Sequence, residues 1–173
     1  MKKIGFALLL AIFVIAMANN TTSAKHKRGK SVEEILNDQV KVFKWMLERM
    51  QRDRAQQEFE EREITLLAEG IYHENWHTDK EKKTARWTGG VVMNRVNSSE
   101  YPDTVEGVLY ERGQYSTTKK FFTVKLPDEC YEMARDIYYN GCPEMPKSVV
   151  FQAQFRQGKG TWQKLNGEYF CYE

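Results

Sequence analysis

Ile64-Thr65-Leu66-Leu67-Ala68-Glu69-Gly70-Ile71-Tyr72-His73-Glu74-Asn75-Trp76-His77 is the stretch that decides how this chain folds and where its chemistry lies. Ile64, Leu67, Ala68 and Ile71 recur at spacings of three and four, the period of a helix that buries one face. The spacing predicts a helix from about Glu61 that closes near Asn75, with Glu74 in its last turn. The final five residues also spell H-E-x-x-H, in which two His one turn apart hold zinc and the Glu is general base. Against that stands a simpler reading, a solitary carboxylic acid at a helix end, the group that cleaves a glycosidic bond.

A zinc site needs both His on an uninterrupted helix and a third ligand. The chain has three His, and the third, His26, lies far upstream in a basic tail. Glu100 and Glu106 are the later carboxylates that could complete such a site, and neither falls in a helical pattern suited to presenting a ligand. A helix that ends near Asn75 also leaves His77 outside it. We therefore expect no metal and no cofactor, with His73 and His77 flanking a functional Glu74.

Upstream, Lys2-Lys3 precede an apolar run, Ile4 to Ala18, whose last three residues, Ala16-Met17-Ala18, offer an A-x-A cleavage site. The run is shorter than the ~20 residues a membrane helix needs. Residues 1–24 read as a signal peptide, with an uncleaved N-terminal anchor as the alternative. Membrane contact is expected only through this segment. Residues 25–60 read as a basic spacer, Lys25 to Lys30, followed by an amphipathic helix. Ser31-Val32-Glu33-Glu34 forms a capping box, and Ile35, Leu36, Val40, Phe43, Met46, Leu47 and Met50 then follow helical spacing. Gln51 to Glu58 is nearly all polar and suits either an exposed continuation or a hinge. A stalk, a helix packed on the domain, or self-association would each account for this segment, and the chain is expected to act as a monomer.

Downstream, Thr84 to Val96 reads as a helix with Gly89-Gly90 in its interior. Each Gly costs about 0.5–1 kcal/mol there relative to Ala, so close packing by the Glu74 helix or by substrate is expected. A short helix, Thr104 to Tyr110, is capped by Asp103 or Thr104, and a polar loop runs from Glu111 to Thr118. A helix from Pro127-Asp128 to Asn140-Gly141 turns Met133, Ala134 and Ile137 inward. Val149 to Phe155 alternates as a strand, Thr161 to Leu165 forms another, and Asn166-Gly167 turns into Glu168 to Tyr172. The fold class is α+β, mainly helical, with a small C-terminal antiparallel sheet.

A length of 173 residues suits one domain with a short leader, and a net charge of +2 gives no footprint for nucleic acid. Cys130, Cys142 and Cys171 form no CxxC. Cys130 and Cys142 lie near opposite ends of one helix, about 18 Å apart, too far to bridge. Either Cys142 pairs with Cys171 or all three thiols are free.

Leu67-Ala68-x-x-Ile71-Tyr72-x-Glu74, Gly90-Val91-Val92-Met93-Asn94-Arg95-Val96, Tyr101-Pro102-Asp103-Thr104-Val105-x-Gly107-Val108 and Gly113-Gln114-Tyr115-Ser116 occur in that order. Together they resemble the SleB-type cell wall hydrolases, the spore cortex-lytic family. The resemblance implies a lysozyme-like or lytic transglycosylase-like catalytic domain over residues 61–173, acting outside the cytoplasm on peptidoglycan glycan strands. It implies that Glu74 is the catalytic acid/base. Asn94, Gln114, Tyr115, Ser116, Gln152 and Gln154 are the expected binders of acetamido sugars, Arg95 a structural ion pair. Tyr72 and Trp76 are the expected apolar neighbours keeping Glu74 protonated, and Asp79, Glu81 and Asp103 the candidates for a second carboxylate. The family's A-E-A-R-G-E is replaced by His73-Glu74-Asn75-Trp76-His77-Thr78, so its second Glu is missing and Asp79 to Lys83 is a rewritten loop. General peptidoglycan rather than spore cortex is the implied substrate. A zinc-dependent peptidase or amidase and a non-catalytic cell-wall binding module remain the alternatives.

Overall fold

The computed structural model describes residues 31–173; the signal-peptide reading of 1–24 and the basic spacer 25–30 fall outside the described residues. The chain divides into two compact units, Met1–Gln51 and Arg52–Glu173. Its elements in order are α1 (Val32–Asn75), α2 (Lys83–Val96), α3 (Val105–Tyr110), a 3-10 turn (Ser116–Lys120), α4 (Asp128–Asn140), β1 (Val149–Ala153), β2 (Gly160–Leu165) and β3 (Glu168–Tyr172).

Helix α1 begins where the capping box places it. The Ser31 N–H donates to Glu34 Oε2 at 2.7 Å and the Glu34 N–H to Ser31 Oγ at 3.2 Å. Of the two readings of Gln51 to Glu58 the structure shows the exposed continuation, because α1 runs 44 residues without a break. Gln51 to Glu58 lacks Gly and Pro and is rich in helix formers, so nothing interrupts the backbone ladder. Gln56 Nε2 adds an i,i+4 bond to Glu60 Oε1 at 2.8 Å.

In Arg52–Glu173 the predicted apolar stripe becomes the core. Ile64, Leu67, Ala68 and Ile71 are fully buried with Val92, Val105, Val108, Leu109, Ala134 and Ile137. Burying each larger aliphatic side chain contributes about 1.5–3 kcal/mol. Gly89 lets this packing close, since a Cβ there would stand 2.8 Å from both Ile71 Cδ1 and Ile137 Cδ1. The close approach expected at Gly89-Gly90 therefore comes from protein, in part from α1 itself. At Gly90 the neighbour is Cys142, whose Cβ would lie 2.7 Å away. All three thiols are free and buried, and burial pushes those of Cys130 and Cys142 up to about 12.

Helix α3 is fastened to α1 by a buried carboxylate. Glu63, 2% exposed, accepts from the Val105 and Glu106 N–H groups, and Thr104 Oγ1 caps Gly107 at 3.0 Å. These bonds satisfy orphan donors and set negative charge against the positive end of the helix.

The sheet has the order β1-β3-β2, with both pairs antiparallel. Asn166 (φ 50) and Gly167 (φ 91) make the predicted tight hairpin turn. Beneath the sheet Trp87, Val91, Met145, Val149 and Phe170 form a second buried cluster. The first strand stops at Ala153, short of the predicted Phe155. Gln154 and Phe155 lead into a bend that reaches Gly158 (φ 58), where a Cβ would lie 1.9 Å from the Tyr172 carbonyl oxygen. Among the described residues no helix is long and apolar enough to cross a membrane.

Candidate functional site

Glu74 occupies the last turn of α1 and opens into a cavity of about 360 Å³. The polar loop after α3 brings Gln114 and Tyr115 to one wall, and the end of β1 brings Gln152 and Gln154 to another. Five of the residues expected from sequence thus meet around one space. Arg95 and Glu168 complete its charged lining, and Phe155, 64% exposed, sits at its apolar margin.

Asn94 and Ser116 are not among the lining residues. Asn94 Nδ2 donates to the Pro146 carbonyl at 3.0 Å and the Val149 carbonyl at 2.9 Å, holding the entry to β1 against α2. Ser116 is exposed at the start of the 3-10 turn, whose next residue faces the site. The Thr117 hydroxyl donates a short hydrogen bond to Glu74 Oε1.

Arg95 is 4% exposed, and its bonds are hydrogen bonds rather than the ion pair expected. Its Nε donates to the Val150 carbonyl at 2.7 Å and its Nη1 to Gln114 Oε1 at 2.9 Å. The guanidinium carbon also lies 5.2 Å from the Tyr101 ring centre and 5.6 Å from that of Tyr115. One buried cation therefore ties β1 to the loop that carries Gln114 and Tyr115, and it fixes both walls of the cavity. Burial pushes the Tyr115 hydroxyl up to about 12 against the opposing pull of Arg95, with the Glu74 charge adding to the rise. It stays a neutral donor.

The surroundings of Glu74 differ from those expected. Trp76 is buried in the core, where Lys82 Nζ lies 4.7 Å over its ring and donates to its carbonyl. Tyr72 packs edge-on against His73 and His77, each at 5.2 Å between ring centres. Neither lines the cavity, so Glu74 faces polar groups instead of an apolar wall.

The second carboxylate in the cavity is Glu168, not Asp79, Glu81 or Asp103. Asp79 is committed to structure: it accepts from the Lys83 N–H at 2.9 Å, the Thr84 N–H at 3.0 Å and Asn166 Nδ2 at 3.1 Å. Burial would raise its pKa, but these bonds together with the Thr84 side chain hold it below the ordinary value. Glu168 opens β3 just after the hairpin turn. Burial raises its pKa, a hydrogen bond from Gln152 opposes that, and the charge of Glu74 adds to the rise. No local pattern marks Glu168 or Thr117 in the sequence, and the pattern around Arg95 predicts a structural role but not its partners. Their roles come from which surfaces the hairpin and the loop bring together.

The H-E-x-x-H geometry is broken. Helix α1 ends at Asn75, so His77 stands in the turn beyond it, exposed. The His73 ring faces away into the core, with Nε2 3.2 Å from Glu69 Oε2 and the ring stacked on Phe121 at 5.8 Å. Among the described residues no cluster of three or more His, Cys, Asp or Glu side chains is placed to hold a metal ion.

What this geometry can do is bounded: one solvent-reachable carboxylic acid, a second carboxylate, and neutral amides and hydroxyls around them. Such a lining suits proton transfer to an uncharged, hydroxyl-rich and amide-rich ligand. No curated protein matches the chain. Among solved structures, the catalytic domain of the Bacillus cereus SleB protein is similar with a TM-score of 0.52. That alignment has 19% sequence identity and covers 63% of this chain and 88% of that one. The likeness shows the fold, and it agrees with the mainly helical, lysozyme-like architecture with a small sheet expected from sequence. The Cell Wall Hydrolase family matches residues 79–169, just over half of the chain, and to that family this chain belongs.

Proposed function

We propose that this protein is an exported enzyme that cleaves the glycan strands of peptidoglycan between N-acetylmuramic acid and N-acetylglucosamine, with Glu74 as acid/base. Family membership supports the coarser statement, a cell wall hydrolase acting on peptidoglycan. One observation carries the finer one: Glu74 opens into a cavity whose other walls are Gln114, Tyr115, Gln152 and Gln154. Their amides and phenol match the acetamido and hydroxyl groups of these sugars.

In its acid form Glu74 donates its proton to the glycosidic oxygen, and the bond from that oxygen to muramic C1 breaks. The Thr117 hydroxyl, already bonded to Oε1, stabilises the carboxylate that results. That carboxylate then removes the proton of the muramic C6 hydroxyl as its oxygen attacks C1. The product is a 1,6-anhydro sugar, no water is consumed, and Glu74 regains its proton. The apolar segment Ile4 to Ala18 supports export as the route to this substrate.

Glu168 favours a second reading. A carboxylate pair in one cavity is the arrangement with which glycosidases direct water onto C1, and the product then carries an ordinary reducing end. Digestion of purified peptidoglycan with protein beginning at Ser31, with and without chelator, separates the readings by product mass. Anhydro-muropeptides insensitive to chelator are expected, whereas products heavier by one water indicate hydrolysis. Chelator-sensitive release of peptides or free amines would overturn both readings in favour of the metal-dependent alternative. Absence of digestion by the wild type would indicate a binding module.

A further inference from the structure

Within Met1–Gln51 the described part of α1 leaves a broad apolar face in water. Leu36, Val40, Phe43, Leu47 and Met50 are each between 38% and 55% exposed. At 100° per residue they fall with Ile35, Val42 and Met46 in an arc of about 160°, interrupted by Gln39 alone. Trp45, 53% exposed, flanks the arc with Arg49 5.5 Å over its ring. Glu33, Glu34, Asp38, Lys41, Lys44 and Glu48 occupy the other side. In proteins most helical stability comes from packing of an amphipathic face, so this face calls for a cover.

The charge distribution identifies one. Residues 1–30 hold six Lys and Arg (Lys2, Lys3, Lys25, Lys27, Arg28, Lys30) and no acid. The remaining residues therefore hold 26 − 6 = 20 basic against 24 acidic side chains, a balance of −4. Four of those six, Lys25, Lys27, Arg28 and Lys30, stand immediately before the apolar helix with no acid among them. An apolar helix face joined to a basic cluster is the two-part signal that holds a protein on an anionic lipid surface, where either part alone binds weakly. A second copy of the chain fits less well. The seam Leu36, Val40, Phe43, Leu47, Met50 has heptad spacing, but it meets Arg54 and Gln57 after about two heptads, short of the three to four that argue for a coiled coil.

We propose that residues 31–51 lie along an anionic phospholipid surface with this arc toward the acyl chains, and that the basic cluster of residues 25–30 supplies the charge attraction. The helix lies on the membrane and does not cross it. The assignment is independent of the reaction at Glu74.

The test uses the full chain and Trp45, a reporter on the helix itself. With phosphatidylglycerol vesicles carrying brominated acyl chains, the emission lost on Trp45→Phe should be quenched and blue-shifted. Quenching should weaken on the order of tenfold in phosphatidylcholine vesicles or when Lys25, Lys27, Arg28 and Lys30 are replaced by Gln. Phe43→Glu with Leu47→Glu should abolish it, whether or not the apolar run Ile4 to Ala18 enters the same vesicles. Trp45 that stays unquenched on anionic vesicles, or quenching that survives both Glu substitutions, overturns the proposal. So does a concentration-dependent dimer, without lipid, that Leu47→Glu dissolves, because a second copy then covers the face.

Discussion

Glu69 and Glu74 stand five residues apart on one helix, and each keeps company with a second titratable group. Glu69 is 1% exposed and faces the core beside His73, with Cys130 and Tyr131 of α4 near enough that its charge raises both their pKa values. Glu74 opens into the cavity that it shares with Glu168. Five residues at 100° each place the two carboxylates about 140° apart around the axis, so one is sealed and the other is reachable. A buried carboxylate is tolerable only with an opposite or hydrogen-bonding neighbour. By rotation alone the helix thus separates a sealed acid from the one proposed to react.

The sharpest way to break this comparison is Glu74→Gln. Loss of the acid/base should lower glycan cleavage by about 10²–10⁴-fold, while thermal unfolding stays at the wild-type midpoint. A large fall in the midpoint would show that Glu74 is structural after all. Next in size is His73→Ala, which removes the ring stacked on Phe121 and lying 3.2 Å from the buried Glu69 carboxylate, at a cost of roughly 1–3 kcal/mol measured by urea unfolding. The double change Glu69→Leu with His73→Leu should recover most of that loss, and the folded fraction should still cleave. If His73→Ala abolishes cleavage without loss of stability, the division of labour fails.

The smallest effect is a pH dependence at Glu168. Its pKa is raised in the fold by burial and by Glu74, so the stability that its protonated form contributes is present below the ordinary carboxylate range. That contribution fades as pH rises through the raised value. Glu168→Gln, which never ionises, should therefore gain stability relative to wild type as pH rises through that window. Asp79, held low by its hydrogen bonds, contributes in the opposite sense. Its stabilisation is present above the ordinary value and lost as pH falls through the depressed one, so Asp79→Asn should flatten the acid limb of the stability curve. Thermal midpoints measured between pH 3 and 8 read both.

The parts of this molecule that sequence revealed are those written in local code. The stripe Ile64, Leu67, Ala68, Ile71 has a period, Ser31 to Glu34 is a cap, and Asn166-Gly167 is a turn, and each needs only its neighbours to act. Gln51 to Glu58 has no apolar period, so its sequence alone is consistent with either an exposed helix or a hinge. In the site, Gln114, Tyr115, Gln152 and Gln154 were legible because neutral polar side chains cluster in a loop and a strand. Glu168 and Arg95 were not. Arg95 sits in a helical pattern that predicts burial but not its partners, and Glu168 follows a hairpin turn where a solvated acid is the ordinary expectation. Asn94 shows the converse, a polar side chain at the end of α2 whose amide is used by the Pro146 and Val149 carbonyls.

The hairpin tip carries a consequence for how this chain can diversify. Asn166 Nδ2 reaches back to Thr84 Oγ1 at 2.7 Å and to Asp79 Oδ2 at 3.1 Å. Two residues later the same hairpin delivers Glu168 to the cavity. The loop from Asp79 to Lys83, one of the two places where the sequence departs from the enzymes it resembles, is therefore latched to the strand that carries Glu168. A mutation there is heard in the cavity, so this surface loop is a handle by which selection, or an engineer, could retune the reaction without touching its walls.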